Sequence, residues 1–188
     1  VDDLICIMDT EGIHSAILVC QSMGGWTGMG MALSHPERVD ALVMSHTGGG
    51  ISSDEIAEEA KNTAAHRKEI TNPFGSWAIA SDFPDKNVMA AHLYNQIGSF
   101  NTNQERNKML GALRKPVDLS NLKGYDIPTL FITAEKDLIF SPRMIGMVSA
   151  MVPGSSIKNL GDAGHSSYFE VPQLFNQTVD DFLAGLDT

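Results

Sequence analysis

The chain's strongest structural constraint is an apolar run, Ser15 to Cys20, that passes without a linker into Gln21, Ser22, Met23, Gly24 and Gly25. A continuous apolar run of this kind suits a strand covered on both faces of a sheet. Gly24 to His35 then reads as a helix of small residues stopped by Pro36. A buried strand that turns at once into a helix requires a crossover, and the natural partner is a second parallel strand. Val39 to Ser45, again apolar, supplies it.

The same texture returns late in the chain. Pro128 to Ala134 reads as a strand, Pro142 to Met151 as a helix and Ser156 to Leu160 as a short strand. Val171, Leu174, Phe175, Thr178, Val179, Phe182, Leu183 and Leu186 recur at a helical period, which places a C-terminal helix. A further short helix is expected over Val1 to Thr10, with Leu4, Ile5 and Met8 on one face.

Between these halves the texture changes. Gly48, Gly49 and Gly50 open a loop. Ser52 followed by Glu55 is a capping-box pattern for a helix reaching Glu69 or Ile70. More helix is expected over Asp85 to Gln96 and Asn103 to Leu113. The chain thus divides into sheet core at 1–47, a helical insertion at 48–125 and sheet core again at 126–188. The fold class is α/β, a mostly parallel sheet flanked by helices.

The chemistry is concentrated where strands end. A serine on a tight strand-to-helix turn projects its hydroxyl from the carboxyl edge of the sheet, and its neighbours must be small because two backbones converge there. The helix start behind it offers free N–H groups to a developing oxyanion, Met23 N–H first among them. The plainer alternative is an ordinary turn with a capping serine. A nucleophilic serine needs a base and the base needs an orienting acid. His165, in the glycine-flanked loop Gly161 to His165, follows the last strand, and Asp137 follows the third. All three residues fall in loops at one edge of one sheet.

In the order Ser22, Asp137, His165, these segments resemble the α/β-hydrolase superfamily. QSMGGWTGMGMALSHPERVDALVMS is similar to its nucleophile elbow with the following helix and strand. PTLFITAEKDLIFSP is similar to its acid loop, and GDAGHSSYFEVPQLFNQTVDDFL to its histidine loop and last helix. The resemblance implies a nucleophile–acid–base triad of Ser22, Asp137 and His165, with residues 48–125 in the place of a cap. It implies a serine hydrolase acting on a small, apolar ester, lactone or thioester without metal or organic cofactor. Carbon–carbon bond hydrolysis, cofactor-free perhydrolysis and hydroxynitrile cleavage use the same triad. A ligand-binding member without activity, or an inactive fragment, is the non-catalytic alternative. An aspartate nucleophile is excluded by Ser22.

The sequence departs from the family at Cys20, where glycine is usual. The strands that precede the elbow in the family, with the second oxyanion donor, are expected in an N-terminal part of the same protein acting as partner to these residues. The elbow strand is then expected to be open along one edge, with poor solubility and little activity for the 188 residues by themselves.

Other residues have quieter readings. Glu135 is a less favoured acid than Asp137, and Asp162 reads as a turn residue. His14 and His35 read as surface positions; His66 and His92 lack ligand-like spacing. His46 is read as structural, or as a lining of the pocket floor. Glu170, before Pro172, reads as a brace for the final helix. Phe74, Trp77, Phe83, Met89 and Phe100 are the expected substrate-binding residues, with Met109 a further candidate for an adaptable apolar pocket. A formal charge of -10 with no basic run argues against nucleic acid or an anionic membrane as partner. No stretch approaches the ~20 apolar residues of a membrane span. Cys6 and Cys20 form no motif, which fits a reducing, cytoplasmic compartment.

Overall fold

The computed structural model describes residues 1–72, 75–100 and 117–186; the expected helix over Asn103 to Leu113, Met109 within it and the expected pocket residue Phe74 lie outside them. Helix α1 spans Asp2–Thr10, strand β1 Ala16–Gln21, α2 Gly24–Ser34 and β2 Val39–Ser45. Helices α3 (Asp54–Arg67), α4 (Phe83–Lys86) and α5 (Val88–Ser99) follow. The chain then returns through β3 (Thr129–Thr133), α6 (Pro142–Met151), β4 (Ser156–Asn159), α7 (Ser167–Glu170) and α8 (Pro172–Ala184). The strands form one sheet in the order β1-β2-β3-β4, every neighbouring pair parallel. Among the described residues between β2 and β3 there is helix and no strand, and no described helix is long and apolar enough to cross a membrane.

Successive side chains of a strand point to opposite faces, so two cores form. Leu42, Met44 and Phe131 pack on one face with Met29, Ile145 and Val148. Val43, Leu130 and Ile132 pack on the other with Leu160 and Phe175. Truncating a fully buried ring such as Phe131 costs about 3–5 kcal/mol in a core of this kind.

Helix α2 lies unusually close to the sheet, which is why it carries so many small residues. A Cβ on Gly25 would collide with the Thr47 side chain, and one on Gly28 with Cys20 Sγ and Leu42. Burial in that contact pushes the Cys20 thiol up to about 11, so its role is packing.

Three expectations are corrected. Strand β1 is not covered on both faces in this chain: Leu18 and Cys20 meet the α2-side core, but Ile17 and Val19 are exposed. The cap of α3 is Ser53, not Ser52, because Ser53 Oγ accepts from Ile56 N and this register buries Ile56. The single helix read over Asp85 to Gln96 is two. Asn87 ends α4 and caps α5, accepting from Ala90 N.

Candidate active site

The C-terminal ends of the parallel strands bring the site together. The register pairs Gln21 with Ser45 and Ser45 with Ile132. The ladder runs one residue further, with Ser22 N donating to the Ser45 carbonyl and His46 N to the Ile132 carbonyl. Ser22 then turns out of the strand with φ 50°, in the left-handed region that non-glycine residues rarely occupy. Met23, which follows, is half exposed at the start of α2, and its N–H has no acceptor among the described residues. That places a free donor beside the Ser22 hydroxyl.

Ser22 Oγ lies 2.8 Å from His165 Nε2, and His165 Nδ1 lies 3.0 Å from Asp137 Oδ2. Asp137 and His165 are buried. Burial would raise the Asp137 pKa, but hydrogen bonds from His165 and His46 overcome it and hold the carboxyl at about 2. An ionised carboxylate only accepts, so the Nδ1 atoms facing it carry the protons. His165 Nε2 therefore presents a lone pair to the Ser22 hydroxyl, the arrangement a general base needs. Phe140 stacks on the His165 ring with centroids 5.9 Å apart.

The other acid candidate, Glu135, is exposed and stands apart from this chain of bonds. His14, His66 and His92 are exposed. His46, read as structural or as a lining of the pocket floor, meets the acid itself. It is fully buried, with Nδ1 2.8 Å from Asp137 Oδ2 and Nε2 2.7 Å from Ser167 Oγ. His46, Asp137 and His165 each bring a potential ligand atom within 4.8 Å of the others. The carboxylate is nevertheless saturated by hydrogen: Oδ1 accepts from Ile139 N and Phe140 N, and Oδ2 from the two imidazoles. The cluster is a hydrogen-bond hub in which coordination would have to displace donors.

One further side chain escaped sequence reasoning. Gln21 Nε2 donates to the His165 carbonyl at 2.8 Å, and Gln21 Oε1 accepts from Ser45 Oγ at 2.6 Å. The side chain thus fixes the histidine loop against the elbow strand. Gln21→Leu is expected to lower kcat toward a p-nitrophenyl ester by about 10- to 100-fold, because small displacements of a base are costly. KM should change little, since Gln21 contacts the loop backbone; steady-state kinetics separate the two. Glu170 does not brace the final helix. It accepts from Gly164 N at 3.0 Å and Ala80 N at 3.1 Å, joining the histidine loop to the segment before α4.

Asp162 is more than a turn residue. It is ion-paired to Lys86 and Lys136, which both also reach Asp82. Hydrogen bonds from Lys136 and Lys86 hold the Asp162 pKa at about 2. This exposed network ties α4 to the acid and histidine loops. Lys136→Met is expected to speed proteolysis around α4 and α5 several-fold at low salt while leaving the global unfolding midpoint nearly unchanged, since exposed pairs of this kind add little to stability and are screened.

The expected substrate-binding side chains scatter. Phe83 is buried in a small cluster with Ile79, Ala80 and Ala91, edge-on to Phe169 with ring centroids 6.4 Å apart. Trp77 is partly buried, and Met89 and Phe100 are 75 % and 81 % exposed, so neither forms the wall of a closed cavity. Two described grooves, of about 330 Å³ between β4 and α8 and about 130 Å³ beside Pro36 and Tyr125, are lined by none of Ser22, Asp137 and His165.

The family model of the alpha/beta hydrolase family matches residues 1–178. A curated 2-hydroxy-6-oxononadienedioate/2-hydroxy-6-oxononatrienedioate hydrolase of Burkholderia vietnamiensis (strain G4 / LMG 22486) is 28% identical over 94% of this chain and 65% of its own length. Among solved structures, a thermophilic esterase from Thermogutta terrifontis superposes with TM-score 0.74 at 20% identity, over 100% of this chain and 71% of that one. The enol-lactonase from Burkholderia xenovorans LB400 superposes with TM-score 0.72 at 23% identity, over 97% and 70%. These superpositions show the fold. The chain spans about two thirds of the length of the curated relatives it matches.

Proposed function

The chain belongs to the alpha/beta hydrolase family, and we propose that it is a serine hydrolase that cleaves a small ester, lactone or thioester through an acyl-enzyme on Ser22. The observation that carries this reading is the unbroken line of hydrogen bonds from Ser22 Oγ through His165 to Asp137. Ser22 Oγ attacks the carbonyl carbon as its proton passes to His165 Nε2. Asp137 holds the imidazole in the required tautomer and stabilises its charged form. Met23 N–H donates to the oxyanion. His165 returns the proton to the leaving group, then deprotonates the water that frees the acid. Each of these roles falls to a side chain or backbone group of the protein.

The segment 48–125 is read as a cap over this site. Support comes from contacts that tie it to the acid and histidine loops. Arg67 Nη1 donates to the Leu138 carbonyl, Ser141 Oγ to Glu59, and Tyr94 Oη shares a hydrogen bond with Ser166 Oγ. Trp77, Met89 and Phe100, with Phe74, are the apolar side chains proposed to meet the acyl group. The two unpaired cysteines support a reducing compartment such as the cytoplasm.

A fluorophosphonate probe should label Ser22, and p-nitrophenyl esters of rising chain length should be hydrolysed with a clear length optimum. Absence of label on Ser22 in folded protein removes the reading. Hydrolysis of a carbon–carbon bond beside a ketone uses the same residues and is the second reading, favoured by the name of the Burkholderia relative. Turnover of a 2-hydroxy-6-oxo-dienoate with no ester hydrolysis would select it.

A further inference from the structure

The histidine at the end of β2 mirrors the serine at the end of β1. Ser22 has φ 50° and His46 φ 51°, and these are the non-glycine residues with positive φ among those described. Such conformations carry a backbone cost and persist where the surroundings enforce them. At Ser22 the strain aims a hydroxyl. At His46 it turns an imidazole under the neighbouring loop, where Nδ1 meets Asp137 Oδ2 at 2.8 Å. His165 Nδ1 meets the same oxygen at 3.0 Å. The two rings stand edge to face with centroids 5.6 Å apart. Behind each ring is a serine: Ser22 on His165 at 2.8 Å, and Ser167 on His46 at 2.7 Å. One carboxylate oxygen thus serves two serine–histidine pairs. Ser167 is fully buried, which keeps it from substrate and excludes it as a second nucleophile.

We propose that His46 is a positioning residue for hydrolysis: backed by Ser167, it occupies half of Asp137 Oδ2 and sets both the plane of that carboxylate and the share of its charge that reaches His165. The inference rests on Ser22, His165 and Asp137 acting as the hydrolytic triad.

The physical case is a division of charge. An oxygen that accepts two N–H donors spreads its negative charge over both. The hydroxyl of Ser167 can donate to Nε2, leaving Nδ1–H for the carboxylate. Burial keeps His46 itself neutral, lowering its pKa against the opposing pull of Asp137, while His165 lowers it further. The groups facing it are therefore Asp137 from the loop after β3, His165 from the loop after β4 and Ser167 from α7. Glu170, its pKa raised by its own burial and further by the Asp137 charge, is not among the groups that act on His46. With His46 neutral, the one imidazole that gains a proton during turnover is His165.

The test compares His46→Gly with His46→Asn in the full chain. Both residues tolerate a φ near 51°, so strain does not separate them. Asparagine keeps an N–H near the Nδ1 position, and glycine has none. With p-nitrophenyl acetate, His46→Gly should lower kcat about ten-fold. The acidic limb of its kcat/KM profile should move up by roughly one pH unit, since the undivided carboxylate then favours the charged form of His165. His46→Asn should recover most of both. Ser167→Ala should move the limb the same way by less. A merely structural role would lower the folded fraction and leave the limb in place.

Proton NMR gives a readout that needs no turnover. The parent should show two strongly downfield imidazole N–H signals. His46→Asn should retain the one from His165, and in His46→Gly that signal should move further downfield. An unmoved limb and an unmoved His165 signal in folded His46→Gly overturn the inference while the triad stands. Persistence of turnover, or of probe labelling, in Ser22→Ala overturns the triad reading itself.

Discussion

Ser22→Ala is expected to lower turnover of a p-nitrophenyl ester by on the order of 10⁶-fold, to the level set by binding and oxyanion stabilisation without a nucleophile. The size follows from chemistry. The hydroxyl is the attacking atom, and removal of one indispensable member of a triad costs nearly as much as removal of all. The fold should be spared. Ser22 is only partly buried, and alanine occupies the same strained φ as serine, so no new backbone cost appears. The unfolding midpoint should shift by no more than ~0.5 kcal/mol in stability. His165 Nε2 loses a partner, which water can replace from the side of the partly buried Ser22. Ester hydrolysis, fluorophosphonate labelling and thermal unfolding on one preparation check all three statements. Turnover within ten-fold of the parent, in protein of parental stability, would remove Ser22 from the mechanism.

Much of this site was legible because the signal was local. Ser22 and Asp137 each follow an apolar run and His165 follows the short strand β4, and parallel strands deliver such loops to one edge. Helix α6 starts at Pro142 and ends at Met151 as read, since Ser141 caps it and proline suits its first turn. Strand β2 also matches, a run of apolar residues broken only by exposed Asp40.

What was illegible depends on distance in the chain. Gln21 meets a carbonyl 144 residues away, and His46 meets an acid 91 residues away. Neither partnership leaves a periodicity. One signal for His46 was nevertheless present: it follows β2 as Ser22 follows β1, and an in-register parallel pair must place them side by side. The choice between Ser52 and Ser53 as cap was settled by the burial of Ile56, a tertiary fact. The exposed face of β1 has the same origin, since an apolar run does not record which faces its own chain can cover.

Asp137→Asn is expected to lower kcat by ~10⁴-fold, with a smaller change in KM, and also to destabilise the fold. Four donors converge on this carboxylate: Ile139 N, Phe140 N and the Nδ1–H groups of His46 and His165. An asparagine brings its own NH₂ into that ring of donors. Facing Ile139 and Phe140, the NH₂ leaves two backbone N–H groups unpaired. Facing the histidines, it meets two N–H groups, and relief requires tautomer changes. A His165 so changed presents Nε2–H to Ser22 and can no longer take its proton. Each unpaired buried donor costs about 1–3 kcal/mol, so a loss of several kcal/mol is expected, unlike Ser22→Ala. The pH dependence should change in a defined direction. The Asp137 pKa, at about 2, lies below the ordinary carboxylate value. Its contribution to stability is therefore present above that ordinary value and lost as pH falls towards about 2. Asparagine does not titrate, so the difference in stability between parent and variant should narrow on acidification. Denaturant unfolding of both proteins across pH 3 to 7 measures it, and a gap that stays constant or widens would show that the carboxylate charge is not what the four donors hold.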